Sequence, residues 1–244
     1  HVIIPEPLNK DCVCLGHRGV WWSEIEVTGH IAHGSMPFLG VSAIRGMAAF
    51  LARVEAELYP KLGQRRTAMP VIPEGARQST LNFNSLHGGL PETGGDGFPS
   101  ALVADSCRLV LDRRYLIEES EEEVKAEIAD LLAAVKRERP EFAYEMRDLW
   151  SVPPTMTEAD APVVRALSDE IARVLGTPAQ HVATPGTYDQ KHVVRVGHLK
   201  DCVAYGPGLL ELAHQPDEWV GIGDMVDSAK VMAAAMLRLL EGAA

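Results

Sequence analysis

Two residues far apart in the chain have the makings of a hydrolytic metal site. Glu6 lies between two prolines in Ile4-Pro-Glu-Pro7, and His214 lies in Gly206-Pro-Gly-Leu-Leu-Glu-Leu-Ala-His214-Gln-Pro-Asp-Glu218. Pro5 and Pro7 fix φ and keep their loop extended, which aims the carboxylate consistently. The Gly-Pro-Gly turn lets the chain leave a strand end sharply, and Asp217 and Glu218 are close enough in sequence to orient an imidazole. The competing readings are a solvated loop glutamate and a loop histidine packed on Trp219. Two protein ligands do not complete a catalytic zinc site, which takes about three per ion.

Three further groups could act on a substrate. His33 stands in Gly29-His30-Ile-Ala-His33-Gly-Ser-Met-Pro37, just before a helix, where a histidine is often only a cap or turn residue. Asp112-Arg113-Arg114 ends a strand; neighbours on a strand face opposite ways, so one arginine can face a site while the other is solvated. A planar guanidinium can bind both oxygens of a carboxylate, and a surface ion pair with Glu118 or Glu119 is the rival. In Gly186-Thr187-Tyr188-Asp189, Thr187 and the amides of a following helix make an anion-binding corner. Asp189 could equally be an N-cap, and Lys191 and His192 add positive character.

The elements that position these groups follow from periodicity. Residues 1–4 read as the end of a buried strand, and Asp11 to Leu15 as a second. From Val20 to Thr28 a period of two predicts a strand with one face buried. Ile44, Met47, Ala48, Leu51, Val54 and Leu58 predict a helix over Val41–Leu58. Strands are expected at Ser79–Leu86 and Leu102–Asp112, joined by a glycine-rich loop (Gly88-Gly89, Gly94-Gly95, Gly97). Ser120 and Glu123 form a capping box that opens a helix ending before Pro140, and Phe142–Leu149 reads as a strand. This β-α-β-β-α-β order is that of the split βαβ, ferredoxin-like arrangement. Beyond Pro153-Pro154 the pattern predicts helices at Asp160–Leu175, Asp189–Val196 and Met225–Leu240, with strands at His181–Ala183 and Asp201–Tyr205. The expected architecture is an α/β domain with a mixed sheet, incomplete at its start, formed by 1–19 and 153–244. An α+β ferredoxin-like lid at 20–152 is inserted into it.

Composition narrows the class. Hydrophobic residues make up 46% and charged residues 23% of the 244, as in a soluble globular protein. No apolar run reaches the length of a membrane span, and the residues before the first strand show no charged-then-apolar leader pattern, although a leader lost with the missing start stays open. A formal net charge of −11, without a basic stripe, argues against a nucleic-acid partner. The four cysteines lack a C-x-x-C pair and read as buried reduced thiols of a cytoplasmic protein.

Taken together, the motifs at 206–218, 29–37, 112–114 and 5–7 resemble those of the M20 family of zinc-dependent amidohydrolases. That family includes acetylornithine deacetylase, succinyl-diaminopimelate desuccinylase, aminoacylase and carboxypeptidase G. The resemblance implies that Glu6 and His214 are metal ligands and that His33 reaches the partner subunit's site to stabilise a tetrahedral oxyanion. It also selects Arg114, through the pattern Asp-x-Arg, with Gly186 and Thr187, as contacts of a substrate carboxylate. It implies two zinc ions per full-length subunit, with cobalt or manganese as alternatives, and a homodimer formed through the lid. The implied reaction is hydrolysis of an amide in a small N-acyl amino acid. An aminopeptidase or dipeptidase is the alternative within the class, and a non-catalytic dimerising or small-molecule-binding module the alternative outside it. The chain opens at His1 inside a strand, so the segment supplying most of the family's metal ligands is expected to be absent and the piece alone inactive. One departure stands out: where many members carry Asn-Val-x-Pro, this chain has Ala101-Leu-Val-Ala104.

Overall fold

A computed structural model describes residues 1–90 and 101–242, so Gly94, Gly95 and Gly97 of the expected glycine-rich loop lie outside the described residues. In chain order the elements are β1 (Val2–Ile4), β2 (Cys12–His17), β3 (Gly19–Thr28), α1 (Ala43–Arg53), α2 (Tyr59–Leu62), β4 (Thr80–Gly88) and β5 (Ser106–Tyr115). They continue with α3 (Glu121–Glu138), β6 (Ala143–Val152), β7 (Thr155–Met156), α4 (Pro162–Leu175), β8 (Gln180–Thr184), α5 (Gln190–Arg195), β9 (Cys202–Ala204) and α6 (Ile222–Glu241). They form two compact units. One comprises His1–Gly19, Thr67–Arg77 and Pro153–Ala244, and the other Val20–Arg66 and Gln78–Val152.

The first unit is built on a five-stranded mixed sheet of order β1-β9-β2-β7, with β8 also beside β2. β2 is buried along its whole length, as a strand covered on both faces must be. Val13 and Leu15 point to one face, into a core shared with Val163, Leu167 and Ile171 of α4 and Val231 and Ala235 of α6. Cys12 and Cys14 point to the other, with Leu8, Val182 and Tyr188. Proline in the first turn of α4 and Gly176 at its end, at φ 73°, give this helix defined limits. All four cysteines are free and buried. Among the described residues β1 pairs in parallel with β9 and forms one end of the sheet.

The segment Thr67–Arg77, which the sequence reading leaves inside the insert, packs with the first unit instead. Met69 and Val71 bury against Ala183, and the amide of Ile72 donates to the Ala183 carbonyl at 3.1 Å. A short run carrying Pro70 and Pro73 has no strand or helix period, so its apolar side chains give no hint of where they pack. The two-residue strand β7 was also unexpected. It is too short to show alternation, and it pairs with Gly16 and His17 of β2.

The second unit has a four-stranded sheet of order β4-β5-β3-β6. Trp21, Ile25 and Val27 of β3 and Leu109 and Leu111 of β5 form one core with Met47 and Phe50 of α1 and Ile128, Leu132 and Val135 of α3. The Ser120–Glu123 capping box is present. The expected helix over Val41–Leu58 is realised as α1 followed by a π-helical stretch, Val54–Leu58, that leads into α2. Pro60 supplies the reason: it has no N–H for the carbonyl four residues back, so the chain widens its turn just before it.

Candidate functional site

In the first unit the Glu6 loop and the 206–208 turn are packed backbone to backbone. The Tyr205 amide donates to the Ile4 carbonyl at 2.9 Å, and the Asn9 amide to the Gly208 carbonyl at 2.7 Å. A β-carbon on Gly206 would lie 2.6 Å from the Glu6 carbonyl oxygen, and Gly208 has φ 95°. Both glycines are therefore required, one for close approach and one for its backbone angle. After a short 3-10 turn at Leu210–Leu212 the chain reaches His214, itself at φ 63°. The Glu218 carboxylate accepts the backbone N–H of His214 at 3.1 Å, which holds this conformation. Glu218 thus fixes the main chain of His214, not its ring as the sequence suggested.

Glu6, His214, Gly186 and Thr187 line one cleft of about 270 Å³, together with Leu8, Tyr188 and Leu210. Burial raises the Glu6 carboxyl above its ordinary value and the charge of Asp189 adds to this, while Lys191 and His214 pull it back. Glu6 and His214 therefore share a cleft and act on each other electrostatically. Among the described residues no group of three or more His, Cys, Asp or Glu is placed to hold a metal ion. The chain offers two donors of the hard and borderline kind that zinc accepts, and not a complete set.

The wall of the cleft that carries Gly186 and Thr187 is anchored by residues that sequence reasoning passed over. Gln190 is fully buried, and its amide nitrogen, with two protons to share, lies within hydrogen-bond distance of the carbonyls of Leu15 (3.0 Å) and Cys202 (2.7 Å) and of Thr157 Oγ1 (2.9 Å). The Tyr188 hydroxyl donates to the Cys14 carbonyl at 3.2 Å, and the His17 ring packs edge-on against the Tyr188 ring at 5.4 Å. Burial lowers the His17 pKa to about 4, which keeps this histidine neutral. α5 has only six residues, and Asp189 at its N-cap makes no side-chain capping bond. The helix-terminus anion corner expected there is correspondingly short. The signal for Gln190 was its polarity on the apolar face of a short helix, which is ambiguous without the sheet it meets.

His33 and Arg114 belong to the second unit. The turn carrying His33 is tied to 101–103: the Gly34 amide donates to the Ala101 carbonyl at 2.7 Å and the Val103 amide to the Ala32 carbonyl at 2.8 Å. The Ala101–Ala104 segment therefore buttresses the turn that carries His33. Around the turn, Ile31, Met36, Phe38 and Leu39 are exposed, Phe38 by 79%. Arg114 is half-buried and held by Asp112, with Nε at 2.6 Å from Oδ1 and Nη2 at 2.9 Å from Oδ2. Glu119 pairs instead with Arg113 and Arg65. Arg113 is not solvated, as the strand argument allowed, but fully buried in a network with Glu119, Glu127 and Ser79, which Arg65 joins. Its parity on β5 is that of Leu109 and Leu111, so alternation alone could have shown that it faces the helices.

Residues 15–140 match the family model of the M20 peptidase dimerisation domain. The chain belongs to the M20 family. It is 26% identical to an acetylornithine deacetylase of Myxococcus xanthus over 99% of this chain and 58% of that protein. It is also 26% identical to a putative [LysW]-lysine/[LysW]-ornithine hydrolase of Aeropyrum pernix, over 95% of this chain and 55% of that one. Among solved structures, a tripeptidase of Staphylococcus aureus matches with a TM-score of 0.71 at 21% identity, over 95% of this chain and 54% of that one. An M20 family metallo-carboxypeptidase of Sulfolobus solfataricus matches with a TM-score of 0.69 at 18% identity, covering 95% and 61%. This M20 chain thus spans a little over half the length of the curated relatives it matches. No helix among its described residues is long and apolar enough to cross a membrane.

Proposed function

We propose that this M20 chain is the lid and C-terminal catalytic part of a metal-dependent hydrolase that cleaves the amide of N-acyl amino acids such as acetylornithine. The observation that carries this reading is the meeting of Glu6 and His214 on one cleft, although 5–7 and 206–218 lie at opposite ends of the chain. Glu6 and His214 serve as metal ligands, with the remaining ligands supplied from outside these residues. Zinc, two ions per full-length subunit, is the proposed metal; when bound it contributes Lewis acidity and lowers the pKa of water. Thr187 and Gly186 on the cleft wall bind the substrate carboxylate, and Arg114 of the second unit is a further substrate-binding residue through its guanidinium. His33 donates a hydrogen bond to the oxygen that becomes negative in the transition state.

The catalytic part comprises 1–19 and 153–244, with 67–77 packed upon it, and the lid is the remainder of 20–152. The strand order β4-β5-β3-β6, with α1 and α3 contributing to one core, supports a ferredoxin-like lid. The exposed apolar side chains beside His33 support a homodimer formed through that lid. The deacetylase name of the Myxococcus relative favours an N-acyl amino acid. The tripeptidase and carboxypeptidase folds keep a small peptide as the second reading.

The test uses a polypeptide extended to the length of the relatives. Metal analysis should return about two zinc equivalents per chain, with hydrolysis of acetylornithine or a dipeptide, and both should fall in Glu6→Gln and His214→Ala. Dimers that hold no metal and hydrolyse neither would show a binding module instead.

A further inference from the structure

We propose that Ser35 is a positioning residue for His33, fixing the imidazole as the tautomer protonated on Nε2 so that an N–H donor projects from the turn. This rests on the reading of His33 as the oxyanion donor.

The backbone N–H of Ser35 lies 3.2 Å from His33 Nδ1, and the Ser35 hydroxyl oxygen lies 2.8 Å from the same atom. A backbone amide can only donate, so Nδ1 must present its lone pair. A hydroxyl rotates to suit its partner and donates to the same lone pair. The proton of the neutral ring therefore sits on Nε2. The turn leaves the ring little choice, because the Met36 amide closes it onto the His33 carbonyl at 2.8 Å. Gly34 presses on the neighbouring segment, where a β-carbon would lie 3.0 Å from the Ala101 carbonyl carbon. His33 is also bridged to Leu102.

The chemical consequence is a division of labour between the two ring nitrogens. Nδ1 is occupied by donors and is closed to a metal ion or a substrate proton. Nε2–H is a neutral, pre-aimed donor, which suits a developing negative oxygen. A histidine in this state stabilises charge and does not act as a base through Nδ1. The hydroxyl, at 2.8 Å, is the closer of the two donors, and the amide at 3.2 Å adds to it.

Nitrogen-resolved NMR of the histidine rings in this chain reads the tautomer directly. The wild-type chain should show His33 Nδ1 as the bare nitrogen and Nε2 as the protonated one, in nearly a single form. Ser35→Ala should admit the other tautomer, and Ser35→Thr should restore the original pattern. A free-histidine mixture in the wild type, or a pattern indifferent to Ser35→Ala, would overturn the inference. In the extended, metal-loaded enzyme Ser35→Ala should lower kcat on the order of 10-fold with KM unchanged, and Ser35→Thr should recover it. If the NMR signature holds while His33→Ala itself leaves kcat intact, the tautomer assignment stands and the oxyanion role fails.

Discussion

Gly206 touches the backbone of Glu6 so closely that a methyl group at 206 would meet the Glu6 carbonyl oxygen at 2.6 Å and its amide nitrogen at 3.0 Å. The atoms in the way are main chain, so the Glu6 loop itself would have to move. Gly206→Ala should therefore weaken zinc binding in the extended enzyme at least as much as Glu6→Gln does, with the fold retained. Metal titration beside circular dichroism checks this, and unchanged affinity would show that the loop yields without moving the carboxylate.

The carboxyl of Glu6 should titrate above the ordinary glutamate value of about 4.3, because burial outweighs its favourable neighbours. Removing the charge of Asp189 with Asp189→Asn should lower its midpoint, since a nearby anion opposes ionisation. Lys191→Met should raise it, since a nearby cation favours ionisation. Carbon-detected titration of the metal-free chain reads all three, and a Lys191→Met midpoint below wild type would contradict the assignment.

Arg114 is clamped by Asp112 through two bonds of 2.6 and 2.9 Å. Arg114→Ala should raise KM for carboxylate-bearing substrates about tenfold or more, in line with a lost charge-assisted pair of ~1.5–3 kcal/mol. Carboxamide analogues should be affected far less. Equal loss on both would mark Arg114 as structural.

The buried Arg113 should dominate the acid stability of the second unit. Burial pushes the Glu119 carboxyl up, but Arg113, the Ser79 hydroxyl and the Leu116 amide outweigh it and hold Glu119 below its usual range. A depressed carboxyl contributes stability that is present above its unfolded value of about 4.3 and is lost as pH falls through the folded value. Glu119→Gln should cost about 3–5 kcal/mol near neutrality, because it leaves Arg113 without its closest carboxylate, and should flatten stability between roughly pH 5 and 3. Urea melts across that range measure both.

Most of the fold was legible in the sequence because its elements carry strong periods. The alternation through Trp21, Ile25 and Val27 is the buried side of β3, and Ser120 caps α3 as its spacing with Glu123 predicts. The loops that bring Glu6 and His214 to one cleft were legible through the prolines and glycines that frame them. What was not legible depends on partners distant in sequence. Gln190 finds three acceptors on Leu15, Thr157 and Cys202, and Thr67–Arg77 packs where Ala183 receives it. The backbone bond from His214 to Glu218 depends on a positive φ that histidine seldom adopts.

The sheet of the first unit ends at Val2-Ile3-Ile4, and α6 leaves Ile222, Met225, Leu237 and Leu240 uncovered. Such a border is a ready template for another polypeptide. Backbone amides of Val2, Ile3 and Ile4 should therefore exchange with solvent faster than those of the buried strand β2, which hydrogen exchange measures.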